Sequence, residues 1–378
     1  MDYKKLFNSE ISTDAINKWR ESGKKALGIV CCHVPLELLH AANILPVRLR
    51  ATSCKDCGEG EACLGPTSCS FTQSILQYLI NGTYDLDGLI TSDGCSAASV
   101  ILGNWKTLSQ QQNKPQFFYE IFVPRMNNAG SRDYFRGDLE DICRELEKLS
   151  GSEITNEKLK NSIDTYNEAR SLVKQVYDLH KVKNPVIGGE ETLRITLAAM
   201  EMPIEDYIEF LKAVLDDAKN RKPIENFSAR VMLAGSALDD PEFVKAIEDL
   251  GCLVVADLNS FGIRFLRDEL IYDEDDIMGS IAKYYISRSS CPRMMDGSDD
   301  IHEYILNATK EYDVDGIIIE RLKHCEKWEN ESSILGETFK NIGIPYLELE
   351  RQERMSAEGQ LSIRVEAFRE MIENKKDK

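Results

Sequence analysis

Histidine is scarce in this chain, five among 378 residues, which leaves little imidazole for acid–base catalysis or metal binding. Several catalytic signatures are missing altogether. No Gly-x-x-x-x-Gly-Lys-[Ser/Thr] loop is present to cradle phosphates, no His-Glu-x-x-His helix to bind zinc, and no Gly-x-Ser-x-Gly turn to present a nucleophile. Gly58, Gly60 and Gly65 do not fit a dinucleotide fingerprint. Positive charge is also short: 46 Lys and Arg against 64 Asp and Glu give a net charge of −18, which argues against a nucleic-acid or anionic-membrane surface. There is no long unbroken apolar run of the kind that spans a bilayer. The stretch Met1-Asp2-Tyr3-Lys4-Lys5-Leu6 has no signal-peptide character, so the expected location is the cytoplasm.

Cysteine, by contrast, is plentiful. Eleven cysteines exceed what packing requires in a reducing compartment, and an odd number fits poorly with a complete disulfide framework. The chemistry of this chain is therefore sought in its thiols.

A chain of 378 residues with 42% hydrophobic and 29% charged residues is globular and long enough for two or three domains. A short helical segment is expected over residues 1–24. From 25 to 131 apolar runs alternate with helical patterns: strands at Ala26–Cys31, Leu45–Arg50, Leu86–Thr91 and Gln116–Val123, with helices at Pro35–Ala42, Phe71–Ile80 and through Trp105. Between Ser53 and Ser68 the chain reads as a loop rich in Gly and Cys. Residues 132–225 carry only helical spacing, as in Ile142, Leu146 and Leu149, and form a helical connector. From 226 to 378 the strand–helix alternation returns, with strands at Val231–Gly235, Leu253–Ala256, Val314–Glu320 and Tyr346–Glu350 and a Pro-led helix at Pro241–Asp249. The fold class is α/β: two doubly wound parallel-sheet domains related by internal duplication, joined by the connector.

One phrase occurs twice. Tyr84-Asp-Leu-Asp-Gly-Leu-Ile leads to Cys95, and Tyr312-Asp-Val-Asp-Gly-Ile-Ile leads to Cys325. Each apolar run is a buried parallel strand, so both cysteines sit where open α/β sheets bind ligands, beyond the carboxyl ends of strands. Cys69 precedes a helix, where free backbone N–H groups favour a thiolate. Cys69, Cys95 and Cys325 are the candidate ligands of an iron–sulfur cluster, since a cluster with one open iron needs only three thiolates. The bland alternative is that buried cysteines act as small hydrophobes. Cys54, Cys57 and Cys63 could hold a further metal, but Lys55, Asp56, Glu59 and Glu61 mark a solvated loop with incidental cysteines. Cys31 and Cys32 end the first strand and could line the cleft, with a buried structural role the leading expectation; Cys143 and Cys252 are expected in the core, and Cys291 in a loop of open assignment.

A set of segments resembles a known family. These are Leu45-Pro-Val-Arg-Leu-Arg-Ala-Thr52, Cys69-Ser-Phe, Asn104-Trp105, Phe118-Tyr-Glu-Ile-Phe-Val-Pro-Arg125, Gly235-Ser-Ala-Leu-Asp-Asp-Pro-Glu-Phe243, Cys291-Pro-Arg-Met294, Arg321-Leu-Lys-His-Cys325 and Gly359-Gln360 with Arg364-Val-Glu-Ala-Phe368. Together with the repeated phrase they resemble the 2-hydroxyacyl-CoA dehydratase/benzoyl-CoA reductase family from about residue 25 to 370. The resemblance implies a [4Fe-4S] cluster in a cleft between two α/β domains, held by Cys69, Cys95 and Cys325. It also implies a homologous second subunit, a separate ATP-dependent iron–sulfur activator, and an acyl-CoA substrate dehydrated through a ketyl radical. A benzoyl-CoA reductase-type subunit and an iron–sulfur electron-transfer protein are the alternatives. Two departures stand out: Ser96-Ala97 follows the second cysteine where reductase relatives often carry Asp-His, and Cys325 is followed by Glu-Lys-Trp-Glu-Asn.

Overall fold

The computed structural model describes residues 11–114, 116–288, 291–295, 297–353 and 358–376, so the Met1–Leu6 segment and part of the expected N-terminal helical segment lie outside the described residues. After helix α1 (Asp14–Glu21), the first unit contains β1 (Lys25–Ile29), α2 (Leu36–Ala41), β2 (Ile44–Arg48), α3 (Gly58–Leu64), α4 (Ser70–Ile80), β3 (Gly88–Ser92), α5 (Ser96–Gln111) and β4 (Phe117–Ile121). Its strands are all parallel in the order β2-β1-β3-β4. Helices cover the sheet on its faces, which is why Ala26, Leu27 and Ile29 of β1 and Leu89 and Ile90 of β3 are fully buried on both sides. Asp87 marks the start of β3, pairing with Lys25 at 3.0 Å and accepting the Ala26 N–H at 3.0 Å.

Four helices follow: α6 (Ala129–Ser150), α7 (Asn156–Asp178), α8 (Gly189–Ala198) and α9 (Ile204–Ala218). Asn128 and Thr155 cap α6 and α7 by accepting N–H bonds from Ser131 and Lys158, and Gly151 ends α6 in the left-handed region. The second unit contains β5 (Ala229–Gly235), α10 (Pro241–Asp249), β6 (Cys252–Leu258), α11 (Ile277–Ser287), α12 (Gly297–Glu311), β7 (Gly316–Leu322), α13 (Glu326–Ile342), β8 (Tyr346–Arg351) and α14 (Glu358–Lys376). Its parallel order, β6-β5-β7-β8, repeats that of the first sheet. Two four-stranded parallel sheets flanked by helices are the α/β architecture expected from the alternation of elements.

Buried polar groups tie the units together. Arg170 of α7 pairs with Glu37 of α2 at 2.5 Å, and Tyr285 of α11 donates its hydroxyl to the other Glu37 oxygen at 2.7 Å. Asp239, in the loop before α10, accepts the Thr52 N–H at 3.1 Å and the Ala51 N–H at 2.5 Å. Phe71 of α4 packs edge-on against Phe261 after β6, with ring centroids 5.6 Å apart.

Two expectations are corrected. The segment from Ser53 to Ser68 is not a plain loop: it contains α3, with Cys57 at its N-cap. Helix α3 lies so close to α4 that a Cβ on Gly60 would stand 2.2 Å from the Gln73 carbonyl oxygen, so only glycine permits the contact. The Gln77 side chain accepts the Glu59 and Gly60 N–H groups at 3.1 Å, satisfying the start of α3. Cys54 and Cys57 are consequently buried and only Cys63 is exposed. The acidic neighbours face water while two sulfurs face α4. The second correction concerns β1, which stops at Ile29, so Cys31 and Cys32 belong to the turn that follows it.

Candidate metal centre between the sheets

In each sheet the chain order reverses between the two central strands, β1 and β3 in one and β5 and β7 in the other. Loops leaving the carboxyl ends of such strands diverge and open a crevice. The chain places Cys31-Cys32-His33 after β1, Gly94-Cys95 after β3, Ser236 after β5 and Cys325 after β7.

Cys69, Cys95 and Cys325 are the N-cap residues of α4, α5 and α13. Their carbonyls take the first helical bonds: Cys69 from the Thr72 N–H at 3.1 Å, Cys95 from the Ala98 N–H at 3.1 Å, and Cys325 from the Glu329 N–H at 3.0 Å. Serine, threonine, aspartate or asparagine usually fills this position to accept the third amide of the helix. Here a sulfur does so weakly, short of full hydrogen-bond geometry. The amides of Thr72, Ala98 and Trp328, each third in its helix, still draw the respective thiol pKa downward.

Burial acts in the other direction and prevails. It raises the Cys69 thiol, pushes Cys95 up to about 11 and Cys325 up to about 12. Neighbouring charges add to the rise: Glu353 acts on Cys69, Cys69 on Cys95, and Cys69, Cys95 and Glu320 on Cys325. The three sulfurs therefore lie within one another's electrostatic reach, although they are not a group of ligand atoms all within 4.8 Å of one another. Cys291 also acts on Cys95. Its loop is anchored by Arg293, which donates to the Val123 carbonyl at 2.7 Å and to Asp93 at 3.2 Å. Without a cation these thiols are neutral; a cationic centre reverses that balance and binds them as thiolates. A donor set of three thiols would suit a soft transition metal such as iron or zinc and not magnesium or calcium.

The second wall of the crevice is ionic. Buried Glu320 of β7 pairs with Arg351 of β8 at 2.6 Å and accepts from the Ser236 hydroxyl at 3.2 Å, while Ser236 Oγ accepts the Leu322 N–H at 2.9 Å. Burial raises the Glu320 carboxyl, and Arg351 opposes the rise. Glu353 donates its N–H to Ser70 Oγ at 2.9 Å, and burial pushes its carboxyl up to about 8.

Sequence reasoning missed one group. Among the described residues, only Cys31, Cys32 and His33 bring three His, Cys, Asp or Glu ligand atoms within 4.8 Å of one another. Cys31 and Cys32 are half-buried, not core, and His33 is buried between them and the fold. The adjacent thiols push Cys31 up and Cys32 down, and His33 and Arg48 further favour the Cys32 thiolate. The signal was present: three ligand-type residues in a row directly after the strand beside the one that leads to Cys95. Cys143 and Cys252 are core residues as expected, and burial raises both thiols.

Comparison with known proteins agrees with this architecture. The chain is 25% identical over 345 residues to a benzoyl-CoA reductase subunit of Thauera aromatica, covering 89% of each chain. It is 25% identical to the (R)-phenyllactyl-CoA dehydratase beta subunit of Clostridium sporogenes, covering 93% of each. It is 24% identical to the (R)-2-hydroxyglutaryl-CoA dehydratase beta subunit of Acidaminococcus fermentans, covering 94% of each. These relatives are named as subunits of dehydratases and of a reductase. The family model of 2-hydroxyglutaryl-CoA dehydratase, D-component, matches residues 31–372, and the chain belongs to that family.

Proposed function

We propose that this chain is the iron–sulfur subunit of an (R)-2-hydroxyacyl-CoA dehydratase, with a [4Fe-4S] cluster held by Cys69, Cys95 and Cys325. The observation that carries the reading is the placement of three partly exposed sulfurs at helix N-caps in both α/β units, with Cys69 acting electrostatically on Cys95 and both acting on Cys325. A helix N-terminus contributes partial positive charge at each sulfur, which favours thiolate ligation and lowers the cost of an anionic cluster. When bound, the cluster would supply one-electron chemistry and an iron able to act as a Lewis acid toward a substrate oxygen.

The chain's own residues hold the ligands in place. Ser236 fixes the end of β7 before Cys325, Glu353 fixes Ser70 beside Cys69, and Arg293 fixes the Asp93 loop before Cys95. Ser96 and Ala97 offer no acid or base beside the cluster, so proton transfer at the substrate falls to another group, on this chain or on a partner subunit. The partners in this reading are a homologous second subunit and an ATP-dependent iron–sulfur activator, because the chain has no phosphate loop of its own. The substrate is an acyl-CoA, dehydrated to an enoyl-CoA by way of a ketyl radical of its thioester carbonyl.

Anaerobically produced protein should carry about four irons at this site. Cys69→Ala, Cys95→Ala and Cys325→Ala should each remove them, whereas Cys143→Ala should not. A full iron complement in Cys325→Ala overturns the ligand assignment. With activator and reductant supplied, turnover on a 2-hydroxyacyl-CoA should need only catalytic ATP; stoichiometric ATP consumption assigns the chain to the reductase branch.

A further inference from the structure

We propose that Cys31, Cys32 and His33 form a second metal site, separate from the trio above, which takes one thiolate-seeking transition-metal ion such as ferrous iron or zinc and leaves its fourth position for an anionic donor. Two sulfur–nitrogen edges match a tetrahedral site, and all three ligand atoms lie within 4.8 Å of one another. Cys31 Sγ lies 3.5 Å and Cys32 Sγ 3.9 Å from His33 Nδ1. Metal–sulfur bonds of about 2.3 Å and metal–nitrogen bonds of about 2.0 Å at tetrahedral angles require a sulfur–nitrogen edge of roughly 3.6 Å. Two thiolates and an imidazole are a donor set for zinc or ferrous iron, not for magnesium or calcium.

The surroundings leave room for a fourth ligand and call for a negative one. Across the turn, a Cβ on Gly94 would stand 3.5 Å from Cys31 Sγ and 3.0 Å from Ser92 Oγ, so glycine keeps that side open. Arg48, at the end of β2, is 2% exposed, and its Nε and Nη1 have no hydrogen-bond partner. Its guanidinium lies over the rings of Phe261 at 4.3 Å and Phe265 at 4.8 Å, which fix it without accepting its N–H groups. Arg288 donates to the Cys32 carbonyl at 3.3 Å and holds the turn from the other unit. A buried guanidinium with free donors is costly unless an acceptor arrives. Two thiolates offset Arg48 and Arg288, and an anionic ligand on the ion would answer both the metal's charge and the free N–H groups of Arg48.

The test keeps this site apart from the first. Full-length protein carrying Cys69→Ala, Cys95→Ala and Cys325→Ala is prepared reduced, anaerobic and metal-free, then titrated with Co2+. One Co2+ per chain with sulfur-to-cobalt charge-transfer absorption is expected. His33→Asn should weaken the binding by about tenfold or more, and Cys31→Ser with Cys32→Ser should remove the absorption. If the triple-alanine background does not fold, the metal-stripped wild-type chain and its Cys31→Ser/Cys32→Ser counterpart are compared directly, and the pair of serines should cost one tightly bound Co2+ per chain. Absence of a saturable site in the triple-alanine protein, or absorption that survives both serines, overturns the proposal. Because the first three cysteines are gone in the main experiment, its failure leaves the cluster assignment untouched.

Discussion

The influence of the Cys69 charge on Cys95 and Cys325 can be measured on the metal-free protein with a disulfide reagent. An ordinary thiol with pKa about 8.5 is about one-quarter thiolate at pH 8. Cys95, pushed up to about 11, and Cys325, pushed up to about 12, carry thiolate fractions lower by roughly 200-fold and 2,000-fold. A more basic thiolate is the better nucleophile, with a Brønsted slope of about 0.4–0.5, which returns about tenfold and fortyfold. Net reaction should therefore be about 20-fold slower at Cys95 and 50-fold slower at Cys325 than at an exposed ordinary thiol. Rates should climb about tenfold per pH unit well past pH 9, because each group must lose its proton before it reacts. Peptide mass spectrometry after timed quenching reads each cysteine separately, and exposed Cys63 should label first. The informative variant is Cys69→Ala. Read at a pH high enough to ionise Cys69 itself, removing its charge should lower the pKa of both partners and speed them up, an effect that burial alone does not produce. Unchanged rates at Cys95 and Cys325 in that variant would refute the convergence of the three sulfurs.

Further outcomes follow from buried groups. Arg170→Met should destabilise the fold by about 3–5 kcal/mol, since it strands the fully buried Glu37 carboxylate, and adding Glu37→Gln should recover part of the loss; chemical denaturation measures both. Replacing Cys54, Cys57 and Cys63 together with Ser should leave the iron content unchanged yet lower the denaturation midpoint, because two of the new hydroxyls enter a buried interface at a cost of about 1–3 kcal/mol each. His180 is held down to about 3 by burial and by Arg230, so the unfolded chain takes up its proton first on acidification. Stability should then fall as pH drops below about 6.5, by roughly 1.4 kcal/mol per unit, and His180→Gln should flatten that slope in pH-dependent unfolding curves.

The alternation of strands and helices was legible because parallel strands are continuous apolar runs and the intervening helices carry a 3.6-residue period. The repeated phrase ending in Asp-Gly marked β3 and β7 and, with them, the positions of Cys95 and Cys325. Strand order was not written locally, since pairing of β1 with β3 skips β2 and depends on tertiary packing. Helix α3 was hidden for a similar reason. Its seven residues, Gly58–Leu64, include two glycines and have weak helical propensity, so the helix exists through its contact with α4 at Gly60 and Gln77. Burial of Cys54 and Cys57 follows from that contact and has no signature in a stretch rich in Lys, Asp and Glu. The Cys-Cys-His turn was read as the tail of a strand. Two residues of strand length decided between a core role and a site at the crevice.

The two units repeat one topology but have diverged in what their central strands deliver. In the first, the exits of both β1 and β3 carry thiols, Cys31 and Cys32 on one and Cys95 on the other. In the second, only the β7 exit does, and the β5 exit presents Ser236, whose hydroxyl bonds Glu320 and caps the β7 backbone at Leu322. The second wall is thus held by an ion pair: Arg351 neutralises Glu320, and Ser236 fixes the strand end before Cys325. On the first wall, Arg48 and His33 keep buried nitrogens with no hydrogen-bond partner, and His33 Nδ1 lies 3.5 Å and 3.9 Å from the two sulfurs. Thiols and an imidazole at one switch point and an ion-paired carboxylate at the other give the crevice a direction, with thiol donors concentrated on the β1–β3 side.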